Sequence, residues 1–281
     1  MSTNVVTSII PYLYRAKSLP EAIRLFITNE NKNQAQFSAF EKKLNYYSSL
    51  LVNEQQIGHS QDFDDLYKSI CKSYPNLHFD LTSRRKSFTK FCRKCSLYVE
   101  KGKSIERLND MNGLRIVIYG DNIKEATNSC YILLEHVIKF FTHVKNYKLC
   151  EAEPLNDTFG FNASEFPNVY VPTSKIPYKY RKFVKDYISE PKVQLAYQAL
   201  HVIFLDSFGN PIEVQIKTNE MDCRTSHDVY DSLKYSDNFM DILDLSEIHM
   251  PGFTIDDNGL IIKDSVGIIE PKIILAMSKL F

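Results

Sequence analysis

The strictest constraint on the fold is the pattern at residues 212–217, where apolar and polar side chains alternate. In an extended chain this alternation places Glu213, Gln215 and Lys217 on one face and the apolar residues on the other. A second strand-like segment at 197–205 precedes it, and the turn sequence S-F-G-N lies between the two. The pattern predicts a β-hairpin with one face in a core and three polar side chains on the other.

Two further segments place this hairpin in a larger sheet covered by helices. Residues 114–119 are almost continuously apolar, as in a strand that is covered on both faces. Residues 123–141 then carry apolar side chains at helical spacing, and residues 142–182, which contain four prolines, predict a long loop with at most one short strand.

The segments on either side of this region predict the rest of the architecture. Helical periodicity dominates residues 1–80, and a small hairpin is expected at 253–262, before a last helix from Lys272. We therefore predict an α+β fold, a mixed β-sheet flanked by helices, with a helical N-terminal segment (1–80), a central domain (81–240) and a small C-terminal extension (241–281).

A basic helix is predicted between residues 82 and 99. Its buried stripe would consist of Phe88, Phe91, Cys92, Cys95 and Val99. The opposite face would carry Arg84, Lys86, Lys90 and Lys94. Like charges at this spacing repel one another, so the row is either a solvated surface or a site that a bound anion would stabilise.

Charge and cysteine content restrict the function. Lys+Arg and Asp+Glu both number 34, so the chain has no overall positive field and any polyanion site must be local. No apolar run approaches the ~20 residues of a membrane span, and six scattered cysteines indicate reduced thiols in a cytoplasmic protein. The C-x-x-C pair, Cys92 and Cys95, lacks further ligands nearby, so we expect two packed apolar residues there.

Two carboxylates are candidates for a metal site. Asp110 precedes the strand at 114–119 and Glu213 lies in the hairpin, so both could meet at one part of the sheet and hold Mg²⁺. Cations near them would suit a polyphosphate substrate and phosphoryl-group transfer. The sequence lacks the motifs of a P-loop, a dinucleotide-binding fold, a nucleophile elbow and an H-E-x-x-H metalloprotease.

Four short motifs occur in a fixed order between residues 82 and 235. The first pair is R-R-K at 84–86 with Lys94, and D-M-N-G-L-R at 110–115. The second pair is K-D-Y-I at 185–188 with P-K at 191–192 and Y-Q-A-L-H at 197–201, then E-V-Q-I-K-T at 213–218 with Met221. Taken together, these motifs resemble the small, synthetase-only type of RelA/SpoT alarmone synthetase.

The resemblance implies a nucleotidyltransferase-like domain that transfers the β,γ-pyrophosphate of ATP to the 3′-hydroxyl of GDP or GTP, making (p)ppGpp-type alarmones. It implies that Asp110 and Glu213 form the catalytic pair and hold Mg²⁺, with Glu213 also able to take the hydroxyl proton. The implied ATP-binding residues are Arg84, Lys86, Lys94 and Arg115. The implied acceptor-binding residues are Lys185, Lys192, Tyr197, His201, Gln215 and Lys217, with Tyr197 stacking on the acceptor base.

The sequence departs from the family pattern at three places. Leu195-Ala196 stand where the family usually has Asn-Gly before the stacking tyrosine, and Lys217 stands where Arg is usual. Asp228-Val229 replace a common Glu-His. No N-terminal His-Asp hydrolase constellation is present, so the chain is expected to synthesise and not to degrade.

Two other functions stay open. Some toxic relatives pyrophosphorylate the 3′ end of tRNA, and the aromatic and basic cluster at 178–182 could favour an RNA acceptor. The non-enzymatic alternative is an inactive nucleotide-binding regulator. The expected partners are ATP and GDP or GTP, with tRNA as the alternative acceptor, no membrane, and a second copy of the chain in a homo-oligomer.

Overall fold

The structure is a computed structural model that describes residues 9–29, 34–52, 58–155, 158–193, 196–227 and 253–263. Its helices are α1 (Ile10–Leu13), α2 (Leu19–Asn29), α3 (Gln34–Val52), α4 (Gly58–Ser73), α5 (Phe88–Glu100), α6 (Ile123–Lys139) and α7 (Asn219–His227). Its strands are β1 (Phe79–Arg85), β2 (Asn112–Ile118), β3 (Lys148–Leu149), β4 (Val184–Asp186), β5 (Leu200–Leu205), β6 (Pro211–Thr218), β7 (Phe253–Ile255) and β8 (Ile261–Lys263).

The chain divides into two compact units that are not continuous in sequence. One comprises the described parts of Met1–Val52, Lys86–Leu108 and Tyr235–Phe281, and the other those of Asn53–Arg85 and Asn109–Lys234. The predicted division at residues 80 and 240 stays a prediction, and these units cut across it.

The sheet unit contains a mixed sheet in the strand order β1-β2-β6-β5-β3, with β4 also paired to β5. Among the described strand pairs of this sheet, β2 and β6 are parallel and the others are antiparallel. The apolar face of β2 and β6 packs on α6, and the buried side chains Leu134, Val137 and Phe141 belong to the same core as Val214. The predicted mixed sheet flanked by helices is therefore confirmed.

An ion-pair cluster ties α4 to the segment that follows α6. Lys145 Nζ lies 2.8 Å from Asp62 Oδ1 and 2.6 Å from Asp65 Oδ2, and the Tyr147 hydroxyl donates to Asp62 Oδ2 at 2.6 Å. Burial lowers the pKa of the Lys145 ammonium, but the hydrogen bonds to both carboxylates raise it by more. The cluster is thus charged and satisfied in the folded state.

The helical unit has its own aromatic core. Tyr47 of α3 stacks on Phe91 of α5 with ring centroids 4.9 Å apart, and the Tyr47 hydroxyl donates to the Lys86 carbonyl oxygen at 2.6 Å. The small hairpin β7–β8 confirms the strands expected at 253–262 and joins this unit through the Leu19 amide, which donates to the Gly259 carbonyl at 2.8 Å.

The predicted start of the basic helix is wrong. Residues 79–85 form strand β1, paired over its whole length with β2, and α5 begins only at Phe88, where the Ser87 hydroxyl accepts from the Lys90 amide. Arg84 is therefore a strand residue and Lys86 precedes the helix, so the four basic residues do not form one helical row. Pairing with β2, a contact distant in sequence, overrides the local pattern.

Other local predictions are confirmed. The described residues between 142 and 182 contain one two-residue strand, β3, besides short helical turns. The hairpin β5–β6 turns at Gly209 with φ 79°. Cys92 and Cys95 are buried on α5, as expected for packing residues. None of the described helices has the length and hydropathy needed to cross a bilayer. The helix predicted from Lys272 lies outside the described residues.

Gly113 is predicted to be required for the β2–β6 pairing. A Cβ at this position would lie 2.7 Å from the Glu213 carbonyl oxygen, so Gly113→Ala must push the two strands apart. Urea denaturation should show a loss of roughly 1 to 3 kcal/mol in the free energy of unfolding.

Gly120→Ala is the matched control, because a Cβ there would lie 3.3 Å from the Ala126 Cβ and 3.9 Å from its Cα, well beyond the 2.7 Å at Gly113. Equal losses for the two variants would contradict the assigned strand register.

Candidate active site

The polar face of the sheet carries a row of functional side chains across four strands. Lys185 of β4 pairs with His201 of β5, His201 with Gln215 of β6, and Gln215 with Arg115 of β2. Residues that pair across neighbouring strands point to the same side. Glu213 lies two residues before Gln215, so it is on this face as well.

The Glu213 carboxylate is held by two hydrogen bonds. Its Oε1 lies 3.0 Å from His201 Nδ1, and its Oε2 accepts from Gln215 Nε2 at 2.7 Å. Burial raises the pKa of the Glu213 carboxyl, but the attraction and hydrogen bond of His201 and the Gln215 amide lower it, with a net pKa below its ordinary value. The carboxylate is therefore ionised at neutral pH and fixed in direction.

His201 also connects Glu213 to Tyr197. Because an ionised carboxylate only accepts hydrogen bonds, the Nδ1 of His201 carries a hydrogen and donates to Glu213. The Nε2 on the other side of the ring lies 2.7 Å from the Tyr197 hydroxyl. The predicted acceptor-binding residues Tyr197 and His201 are thus linked directly to the predicted catalytic carboxylate.

The Tyr197 ring lies among aromatic and cationic groups. Tyr187 meets it edge to face with centroids 5.9 Å apart, and the ammonium groups of Lys192 and Lys217 lie 5.7 and 6.0 Å from its centroid. Cations at this range favour an electron-rich ring face. Tyr187, which is buried, was not predicted as a site residue, although it lies within the K-D-Y-I motif.

Asp222 contacts two basic side chains, Lys217, which was predicted to bind the acceptor, and Arg115, which was predicted to bind ATP. Lys217 Nζ lies 2.5 Å from Asp222 Oδ1, and Arg115 Nη1 lies 3.4 Å from the same oxygen. The Lys217 side chain is only 3% exposed, so most of it is enclosed by protein. Sequence reasoning missed Asp222, whose signal is an acidic residue in the first turn of a helix, where the helix dipole favours negative charge.

The predicted ATP-binding residues are divided between the two units. Arg115 and the strand residue Arg84, whose backbone pairs with Gly113, belong to the sheet unit, whereas Lys86 and Lys94 belong to the helical unit. The Nε of Arg115 is buried and has no hydrogen-bond acceptor in the described parts of the chain. Other parts of the Arg115 side chain are accessible to a ligand, since the side chain as a whole is 27% exposed.

The carboxylates suit a hard divalent cation. The charge of Asp110 raises the pKa of Glu213, so the two carboxylates are close enough to repel each other. Within the described ranges, no group of three or more His, Cys, Asp or Glu side chains could hold a metal ion. Two carboxylates nevertheless fit Mg²⁺, which commonly takes one or two of them and completes its shell with phosphate oxygens and water.

Comparison with known proteins finds a match to a family model in one region of the chain. A family model described as a region found in RelA/SpoT proteins matches residues 165–239, which include Tyr197, His201 and Glu213. The resemblance seen in the motifs is thereby confirmed for this region, and Arg84, Asp110 and Arg115 lie outside it. No curated protein matches the chain.

Three solved structures are similar at low identity. The small alarmone synthetase 1 of Bacillus subtilis has 18% identity and a TM-score of 0.37, covering 63% of this chain and 74% of that one. The same enzyme bound to its product pppGpp has 15% sequence identity and a TM-score of 0.41, and the match covers 70% of this chain and 85% of that one. A chain in the complex of the Type VI effector Tas1 with its immunity protein has 14% sequence identity and a TM-score of 0.26, and the match covers 61% of this chain and 74% of that one.

Asp222 is predicted to stabilise the cations beneath the site. Asp222→Asn removes the carboxylate charge beside the enclosed Lys217 ammonium, and breaking such a pair commonly costs roughly 3 kcal/mol. Thermal and urea unfolding should show a clear loss of stability.

Glu220→Gln removes a carboxylate of the same helix that pairs with Arg224 and is 47% exposed, so it should change stability by less than about 1 kcal/mol. An Asp222→Asn protein as stable as this control would contradict the structural role of Asp222.

Proposed function

We propose that this chain, whose residues 165–239 carry the region found in RelA/SpoT proteins, is a pyrophosphotransferase that moves the β,γ-pyrophosphate of ATP to the 3′-hydroxyl of GDP or GTP. The observation that carries the proposal is the ionised Glu213 carboxylate, fixed by His201 and Gln215 beside the Tyr197 ring. It lies on a sheet face that otherwise carries cationic and hydrogen-bonding groups.

The arrangement suits a reaction in which the protein mainly positions charged groups. Pyrophosphate transfer needs cations around the phosphate oxygens, an oriented hydroxyl and a group that can take its proton. Arg115 supports the phosphate-binding part, because its partly exposed guanidinium side chain lies on the same sheet face as Gln215 and Glu213. We assign the same part to Arg84, Lys86 and Lys94.

We assign acceptor binding to the residues around Tyr197 and His201. Tyr197 would stack on the acceptor base, and an aromatic platform of this kind contributes on the order of 1 to 3 kcal/mol. Lys192 lies next to that ring, whereas Lys217 acts from the enclosed ion pair with Asp222. Lys185, His201 and Gln215 complete the row, with Lys185 Nζ 3.9 Å from Glu153 Oε2.

Glu213 has two proposed roles. With Asp110 it would hold Mg²⁺, which when bound neutralises phosphate charge and draws the two reactants together. Its second role is to take the proton of the attacking 3′-hydroxyl, since its lowered pKa keeps it ionised and its hydrogen bonds fix its direction. A neutral amide at this position could do neither.

The first test is Glu213→Gln in an assay with γ-labelled ATP and, separately, GDP, GTP, ATP and deacylated tRNA. We expect a 3′-pyrophosphorylated guanine nucleotide from the wild-type chain, and a rate at least ~10²-fold lower from the variant at an unchanged melting temperature.

Glu190→Gln, at an exposed position of the same region, is the control and should keep the wild-type rate. Label transferred only to tRNA would replace the proposed acceptor. Absence of transfer to all four acceptors would leave the binding regulator as the function.

The second test concerns the divalent cation. EDTA should abolish transfer, and excess Mg²⁺ should restore it, because two carboxylates and a polyphosphate repel each other without a cation between them. Asp110→Asn should raise the Mg²⁺ concentration that gives half-maximal rate. Full activity in EDTA would contradict the assignment of Asp110 and Glu213 as metal ligands.

A further inference from the structure

The backbone that presents Tyr197 is strained. Ala196, the residue before it, has φ 46°, in the left-handed region that suits glycine, and its side chain is fully buried. An alanine in this conformation is unfavourable and persists only where surrounding contacts hold it. The sequence has Leu195-Ala196 at the point where Asn-Gly would adopt this turn without strain.

Arg224 of α7 supplies such contacts. Its Nη1 donates to the Ala196 carbonyl oxygen at 3.2 Å and to the Gln198 Oε1 at 3.0 Å, while its Nη2 pairs with Glu220 at 3.1 Å. One guanidinium nitrogen therefore holds both chain neighbours of Tyr197. Hydrogen bonds from a charged donor are stronger than those between neutral groups.

The Gln198 side chain also forms hydrogen bonds to two other loops. Its side chain is buried, and its Nε2 donates to the carbonyl oxygens of Tyr170 at 2.9 Å and Ile188 at 2.8 Å. Because both amide hydrogens are used in this way, Oε1 faces Arg224 and the amide cannot turn over without losing all three bonds. The segment 196–198 is thus fixed on both sides of Tyr197.

We propose that Arg224 is a positioning residue for the acceptor nucleotide, because it holds the strained turn that directs the Tyr197 ring toward its ligand. The inference rests on the proposed function, since it takes Tyr197 as the platform for the acceptor base. Arg224 acts through the backbone of Ala196 and the side chain of Gln198 and touches neither substrate. Its loss affects binding of the acceptor and leaves binding of ATP unchanged.

The primary experiment measures steady-state kinetics of Arg224→Gln and Arg224→Lys with ATP and GDP. Glutamine and lysine cannot reproduce the contacts of the guanidinium group, so the KM for GDP should rise tenfold or more, while the KM for ATP changes less than twofold. Glu220→Gln removes the partner of Nη2 and leaves the Nη1 bonds intact, so it should behave as wild type. An equal rise in both KM values would overturn the proposal.

Relief of the strain provides a second, independent readout. Ala196→Gly adopts the left-handed conformation freely, so it should restore most of the GDP affinity lost in Arg224→Gln while changing the wild-type chain little. Ala196→Val, a β-branched residue at positive φ, should reproduce the Arg224→Gln defect in the presence of Arg224. Failure of Ala196→Gly to restore GDP affinity would overturn the coupling between Arg224 and the turn.

Equilibrium binding of a fluorescent GDP analogue separates this inference from the proposed reaction. If the wild-type chain binds the analogue but transfers no pyrophosphate, the proposed reaction is wrong, and a tenfold weaker Kd of Arg224→Gln still supports the positioning role. If the wild-type chain transfers pyrophosphate and Arg224→Gln binds the analogue as tightly as wild type does, the positioning role alone is wrong. A wild-type chain that does not bind the analogue overturns both.

Discussion

The parallel pairing of β2 with β6 is the contact on which the remaining site geometry depends. It sets Gly113 against Glu213 and Arg115 against Gln215, and the close approach at Gly113 leaves no room for a side chain. A shift of one residue would turn the polar row of β6 into the core and its apolar row toward solvent. The register therefore fixes both what the sheet buries and which charges it brings together.

Local charge arrangement, not overall charge, gives this face its chemical character. The chain is neutral, with 34 residues of each sign, yet Lys185, His201 and Arg115 lie with Glu213 on one face of the sheet. Glu213 is balanced by His201 and Gln215, and Lys217 by Asp222, so most charges have a partner without any ligand. Such a face can accept a highly charged ligand without a large change in the conformation of its strands.

The sequence was most informative where the pattern was local. Alternation in β6 predicted which face Glu213 occupies, and the apolar run in β2 predicted a covered strand. In both cases the order of apolar and polar residues within the segment itself shows which side chains are buried. The predicted start of α5 was wrong, since residues 82–85 are polar and only pairing with β2 makes them a strand. Asp222 and Arg224 were missed because their roles arise from contacts of α7 with strands β2 and β6 and with the segment 196–198, and a sequence pattern does not show such contacts. The roles of the predicted site residues stay predictions.

The discontinuous helical unit has a consequence for the order in which the chain can fold as it is synthesised. The backbone bonds Leu19 to Gly259 and Ile261 to Lys17 join the first helices to a hairpin made much later. The described strands of the sheet unit, in contrast, are complete once Thr218 has been added. During translation the sheet can therefore form first, while the backbone groups of Lys17 and Leu19 lack these partners until β7 and β8 emerge from the ribosome. The helical unit is therefore the last of the two to be completed.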